Sequence, residues 1–218
     1  MNALGRLFAL LAAASLAAVP LCAAADDAVP VHHVRGVVTA ASSDTITVKT
    51  ADGAVTLAIG PKTRIAGVVP TTADAITSGT FIGTANVPGS SSTTARALEV
   101  VVFPPAMAGT GEGDYPWDLA AGNGGHSSMT NGTVAAPHSM MTNGTVMGVN
   151  NHGSKTVTLQ YKGGSKTVTI SPGVPIVRVV PGSKSLLATG AHVVATPGSA
   201  GGPARVVIVG EQGAVPPM

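Results

Sequence analysis

The chain repeats itself, and the repeat constrains its fold more than any other feature. Shifted by 111 positions, TITVKTADGAVTLAIGPKTRIAGVVP at residues 45–70 lies over TVTLQYKGGSKTVTISPGVPIVRVVP at 156–181. In one gapless register, Thr45, Thr47, Gly53, Thr56, Ile59, Pro61, Ile65, Val68, Val69, Pro70 and Gly79 all recur. After a two-residue deletion the match resumes, with PGSSSTTARALEV over PGSAGGPARVVIV, and Pro88, Gly89, Ser90, Ala95, Arg96 and Val100 recur. A register kept this long marks a tandem duplication of a unit of about seventy residues, the size of a small domain. Whatever fold one copy takes must therefore suit the other.

Each copy reads as β structure. Ile46 and Val48, then Val55, Leu57 and Ile59, alternate with Thr and Lys at the period of two that a half-buried strand requires. Val157, Leu159 and Tyr161 repeat the pattern. Asp52-Gly53 and Gly163-Gly164 sit at equivalent places between paired runs, and both suit a two-residue hairpin turn. A first strand, RGVVTAA or NGTVMGV, precedes each hairpin, and two more follow: TFIGTANV and ARALEVVVF, or AHVVATP and ARVVIVGE. TTADAITSG and GSKSLLATG leave room for one short helical turn. Five short strands per copy predict an all-β protein of two tandem OB-like barrels, in which closure protects edges rich in Val and Thr.

The N-terminus adds an address. Arg6 precedes an apolar run from Leu7 to about Leu21, and Ala23-Ala24-Ala25 supplies small residues for signal-peptide cleavage between Ala25 and Asp26. The run is shorter than a spanning helix needs, and Pro20 interrupts it. Val19-Pro20-Leu21 before Cys22 lacks the small residue that lipid attachment requires. Cleavage would remove Cys22, the single cysteine, so the exported chain would hold no disulfide, thiolate metal site or cysteine nucleophile. The expected organisation is a signal peptide at 1–25, a tail at 26–34, a first barrel at 35–104, a Gly/Ser/Met linker at 105–142, a second barrel at 143–211 and a tail at 212–218. The expected location is periplasmic or secreted, with no integral membrane part.

The pattern G-x-V, T-I-T-V, turn, V-x-L-x-I, P-x-T-x-I and a late A-R-x-x-V resembles an uncharacterised exported family of proteobacterial tandem OB-like proteins, a domain of unknown function. GEGDYPWDL, MTNGTV and the terminal VPPM resemble its two-domain branch, whose members often carry the automatic label "metal ABC transporter permease". The resemblance implies a fold and no activity. A permease crosses the bilayer several times, and the sequence beyond residue 25 has no apolar run of spanning length.

Function is narrowed mainly by exclusion. Only 10% of residues are charged and 3% aromatic. Nucleic-acid platforms interleave exposed rings with basic residues, whereas among Phe81, Phe103, Tyr115, Trp117 and Tyr161 only Tyr161 adjoins a lysine; no nucleic-acid partner is expected. No metalloprotease, phosphate-loop, dinucleotide or nucleophile-elbow motif occurs. Asp44 and Asp52 stand at turns, where Asp serves the backbone. No enzyme and no cofactor are expected. Residues 143–211 carry Lys155, Lys162, Lys166, Arg178, Lys184 and Arg205 against Glu211, and the linker carries Glu112, Asp114 and Asp118. The basic excess suits either the acidic linker or an anionic ligand.

A second, local repeat lies in HSSMTNGTVAAPHSMMTNGTV, residues 126–146. Its later copy matches the first strand of copy one, Gly144 and Val146 answering Gly36 and Val38, so the earlier copy reads as duplicated linker. Asn131 and Asn143 head formal glycosylation sequons, expected unmodified behind a bacterial signal peptide. His126, Met129, His138, Met140 and Met141 form a candidate soft-metal set, with His32-His33 as a further pair. Trp117, the only tryptophan, reads as the packing anchor of a linker too poor in apolar groups to hold itself in place.

The sequence thus points to an exported non-enzymatic binding or scaffold protein whose partner is an envelope protein or an anionic ligand. The alternative is periplasmic copper-type metal handling through the His/Met segment. Intact mass of the exported protein should begin at Asp26; a mass that retains residues 1–25 would overturn the cleavage reading.

Overall fold

In a computed structural model, residues 32–121, 125–136 and 153–216 are described; they form an all-β protein with four single-turn 3₁₀ segments and no α-helix. The first repeat supplies β1 (Val34–Ala41), β2 (Thr45–Thr50), β3 (Gly53–Ala58), β4 (Arg64–Pro70), β5 (Phe81–Pro88) and β6 (Thr94–Val102). β7 (Gly113–Ala121) and β8 (Gly125–Val134) follow. The second repeat supplies β9 (Lys155–Tyr161), β10 (Gly164–Ile170), β11 (Ile176–Pro181), β12 (His192–Thr196) and β13 (Val206–Gly210).

The repeats do not fold side by side; they exchange strands. β8, β5, β6, β10 and β9 close a ring, in which β5 and β6 come from the first repeat and β9 and β10 from the second. From β6 the sheet continues β11-β4-β13-β12-β1-β2-β3, again mixing the two copies, and β7 pairs with β8. The sequence boundaries 35–104 and 143–211 therefore mark the duplication, while the ladders cross them. Ile82, Val100, Leu159 and Val168 fill the closed ring. Val38, Ile46, Val193 and Val207 fill the other half. Removing each such side chain from water contributes about 1.5–3 kcal/mol.

β4 and β11 are the strands that the five-strand reading omitted. They pair antiparallel with Val68 opposite Val179, so each central valine meets its own copy at 111 residues' distance. β4 then pairs parallel with β13, and β11 parallel with β6. Val68, Val101, Val177 and Val179 make a third buried cluster where the halves join. Arg64–Pro70 lacks a clean period of two because it is covered on both faces, as a central strand in a parallel setting is.

The expected linker at 105–142 holds β7 and β8, a correction with a clear cause. β8 is registered on β5 through residues 128–133 and on β9 through Thr133 and Val134, so backbone ladders rather than apolar alternation make it a strand. Its end occupies the place that β1 has in the other half. Val134 N donates to Thr80 O and accepts from Gly79 N at its own carbonyl; Val38 makes the same two bonds with Ala191 and Gly190 (2.8–2.9 Å). Gly36 and Gly132 match as well, since a Cβ would strike the Lys49 carbonyl at one and the Gln160 carbonyl at the other. The counterpart of Gly36 and Val38 is thus Gly132 and Val134, in the earlier copy of the local repeat. The later copy, through Gly144 and Val146, lies outside the described residues.

The hairpin turns also shift by one residue. Thr50 pairs with Gly53 and Tyr161 with Gly164, which leaves Ala51-Asp52 and Lys162-Gly163 as the central pairs. Positive φ falls at Gly53 (135°) and Gly163 (102°). The helical turns expected after the hairpins are 3₁₀ turns at Ala73–Ala75 and Lys184–Leu186.

Exchange makes the halves interdependent. Fragments 26–104 and 105–218 should each lack cooperative unfolding alone and regain it when mixed; two independent thermal transitions in the intact chain would contradict the pairing.

Candidate functional site

One end of the closed ring is polar inside. Lys166 on β10 points the same way as Val168 and Ile170, yet it carries an ammonium that is only 8% exposed as a residue. Asp114 on β7 meets it, with Lys166 Nζ 2.6 Å from each carboxylate oxygen. Thr130 Oγ1 donates to Asp114 Oδ1 at 2.7 Å. Asn86 Nδ2 reaches Thr130 Oγ1 (2.9 Å), Thr84 Oγ1 (3.0 Å) and Thr84 O (2.9 Å). Thr84, Asn86 and Thr130 are fully or almost fully buried. β7 makes this possible, because it takes the edge of β8 beyond the point where β9 ends and so brings Asp114 opposite Thr130.

The duplication supplies an internal comparison. By strand register, Val34, Val55 and Ala195 in the other half occupy the places of Thr130, Lys166 and Thr84. Asn86 falls where the second repeat is two residues shorter. An apolar lining therefore suffices for the framework. A pair of buried Lys166 with a partly exposed Asp114 is weak support for stability, because desolvation of the lysine and solvent at the carboxylate both offset the attraction. The polar end is a departure from the shared plan.

The hairpin β7–β8 also grips the start of β1. Asp118 accepts Arg35 Nη2 at 2.6 Å and Nη1 at 3.1 Å, and the His33 backbone N–H at 2.6 Å. His33 Nδ1 lies 3.1 Å from Asp118 Oδ1. An ionised carboxylate only accepts, so Nδ1 carries the proton. The Trp117 ring lies on His33 with centroids 4.4 Å apart, and Tyr115 approaches Trp117 edge-on at 6.2 Å. Burial pushes the Asp118 carboxyl upward, but the bonds from Arg35 and His33 outweigh it and hold the group well below the usual carboxylate range. Burial, helped by the charges of Arg35 and His32, lowers the His33 imidazole even though Asp118 pulls it upward. Burial raises the Tyr115 phenol, partly offset by its hydrogen bond from Asn131. An Asp-oriented imidazole is the geometry of a general base. What the bonds show is that Asp118 ties His33 and Arg35, at the start of β1, to the β7–β8 hairpin.

Of the candidate metal residues, Met129 and His126 are described, one buried and the other exposed. Met129 is 1% exposed within β8, between Ala85 and Tyr115 in the ladders, and its sulfur is withdrawn from solvent. His126 is exposed beside a cleft of about 610 Å3 that it lines with Val87, Pro88, Arg96 and Leu98, and the Arg96 cation is a poor neighbour for a metal ion. His138, Met140 and Met141 lie outside the described residues. Among the described residues, no group of three or more His, Cys, Asp or Glu is placed to hold a metal. Trp117 is half-buried against His33, and its Nε1 has no hydrogen-bond partner. Glu112 and Asp114 do meet the second repeat, at Lys162 N (3.0 Å) and Lys166, whereas Asp118 turns to the first. Sequence reasoning missed Thr84, Asn86, Thr130 and Lys166. The usable signal was a lysine at a core-facing position of a strand whose copy has Val55.

Comparison with protein-family models, with curated proteins and with solved structures found no match. Among the described residues no helix is long and apolar enough to cross a membrane.

The pH response follows from the two shifts. Asp118 contributes stability that is present above its ordinary value of 3.8 and lost as pH falls toward its depressed folded value. His33, lowered from 6.5, contributes in the same direction: below 6.5 the unfolded chain gains protons first, so stability falls. Melting temperature should therefore decline between pH 7 and 5, with Trp117 emission changing in step. His33→Ala should flatten that decline, and Asp118→Ala should cost about 1–3 kcal/mol at pH 7 by stranding Arg35. An unchanged pH profile in His33→Ala would refute the assignment.

Proposed function

We propose that the chain is an exported, non-enzymatic binding or scaffold protein of the periplasm or the medium, built on a duplicated OB-like unit. The observation that carries the reading is buried Lys166, paired with Asp114 at the rim and set with Thr130, Thr84 and Asn86 where the other half has Val34, Val55 and Ala195. Within one chain the same framework exists with and without this polar end. Stability does not account for the difference; recognition of a polar group does. Exchange of strands keeps the two halves in a fixed relation, as a scaffold requires. The partner is an envelope protein or an anionic ligand that meets the end of the ring beside Tyr115, one of two large apolar side chains exposed among the described residues. The export reading is supported by the apolar segment and the small residues before Asp26.

Copper-type metal handling through the His/Met segment is the competing reading; His126 of that segment is exposed, as is His32 of the further pair. Metal analysis of protein isolated from the periplasm separates the two: sub-stoichiometric metal supports binding or scaffolding, and stoichiometric copper lost on His126→Ala supports metal handling.

A double substitution tests the site itself. Lys166→Met alone should cost about 1–2 kcal/mol, because Asp114 keeps only the Thr130 hydroxyl and solvent as partners, while Lys166→Met with Asp114→Leu should be about neutral. A photoreactive side chain at Tyr115 should give one envelope adduct in cells, and the double variant should lose it. A double variant as unstable as the single, or no adduct at all, would overturn the proposal.

A further inference from the structure

The two halves differ at a second place, the seam that closes each ring. In the closed ring, β10 zips onto β6 through Thr167–Thr94, Val168–Ala95 and Thr169–Arg96, with Thr167 N bonded to Thr93 O at 2.8 Å. The matching seam, β3 against β13, has no ladder among the described residues. A backbone bond from Ala204 N to Ala58 O (2.8 Å) and the Thr63 hydroxyl on Ala204 O (2.7 Å) pin its end. The two-residue deletion accounts for the difference. β12 has five residues where β5 has eight, and Pro203, with no N–H to donate, replaces Thr94. Beyond that pinned end, between the β3–β4 connection with the start of β4 and residues 203–206, lies a cleft of about 570 Å3.

Its lining is specific. Lys62, Arg64 and Arg205 stand around it, and among the described residues no carboxylate lines it. All three are exposed, and Arg64 N bonds to Arg205 O at 3.0 Å, which sets the two arginines on adjacent strands. Pro61, Pro203 and Val206 give it an apolar wall. At the zipped seam, Gly173 and Pro175 replace Lys62 and Arg64, and only Arg96 is kept as the copy of Arg205. The cations are thus present where the seam is open and reduced to one where it is shut. Each guanidinium can meet an oxyanion through two parallel N–H donors, and like charges gathered together are relieved by an anion.

We infer that the open seam is a binding cleft for an organic phosphate or similar oxyanion carried on a small apolar body. The anionic group meets Lys62, Arg64 and Arg205, and the apolar part lies on Pro61, Pro203 and Val206. The inference rests on the reading of the chain as a binding protein, but at a site separate from the Lys166–Asp114 end.

Phenyl phosphate, inorganic phosphate and benzyl alcohol, titrated calorimetrically into the purified protein, test it. Phenyl phosphate should bind at least about tenfold more tightly than either of the others, since each supplies only half of the contact. Arg64→Ala with Arg205→Ala should weaken it by about tenfold or more with an unchanged melting temperature, as two charge-assisted contacts are lost. Arg96→Ala, at the shut seam, should leave it unchanged. Vesicles with phosphatidic acid identify the source: binding that phenyl phosphate displaces points to a lipid headgroup, and binding of phenyl phosphate alone points to a soluble ester. No binding of phenyl phosphate, or equal binding by the double arginine variant, would overturn the site. If that happens while the Tyr115 adduct persists, only this cleft is lost and the binding function stands.

Discussion

The antiparallel contact of β4 with β11 governs the rest of the structure. Val68 sits opposite Val179, and five registered pairs run from Val177–Pro70 to Pro181–Ala66. Because the strands are copies of each other, the pairing relates the repeats by a two-fold arrangement. Each central strand then receives the last strand of the other repeat in parallel, β13 on β4 and β6 on β11. Parallel pairing needs a long connection, which the duplicated chain supplies between repeats. Once the last strands have crossed, their hairpin partners β5 and β12 cross with them. The ring and the open run both follow from that one ladder.

A duplicated framework allows comparison within a single molecule. Positions alike in both halves serve the fold: Val38 and Val134, Gly36 and Gly132, and Val68 and Val179 make equivalent bonds or face equivalent obstacles. Positions that differ bear on function. Lys166 against Val55 alters the interior of one half, and Lys62 and Arg64 against Gly173 and Pro175 alter the seam of the other. Both differences introduce charge where the alternative copy folds without it. The chain carries 12 basic residues in all, so clusters of this kind are a considerable share of its charge.

The sequence made the β class, the hairpins and the repeat legible, because alternation at period two and a fixed offset are local or linear signals. β4 and β11 were hidden, since strands covered on both faces do not alternate. β8 was hidden because HSSMTNGTV is polar and its strand character comes from lying between β5 on one edge and β7 and β9 on the other. The site residues were hidden for a related reason. Thr84, Asn86 and Thr130 are ordinary strand residues in one dimension, and only closure of the ring turns them inward with Lys166. Trp117 and the acidic residues around it stood out by rarity, yet the partners His33 and Arg35 lie 85 and 83 residues from Asp118.

By itself, then, the sequence determined that this chain is β-rich and repeats itself at an offset of 111 residues, because composition, periodicity and self-similarity are written along the chain. Tertiary structure alone decided which repeat each strand serves. A strand pairs equally well, in local terms, with its own repeat or with the copy of that repeat, since the two offer nearly the same edge. The choice was made by the β4–β11 ladder and the valines packed beneath it, and it placed Lys166 against Asp114 and left the seam beside Arg64 and Arg205 open.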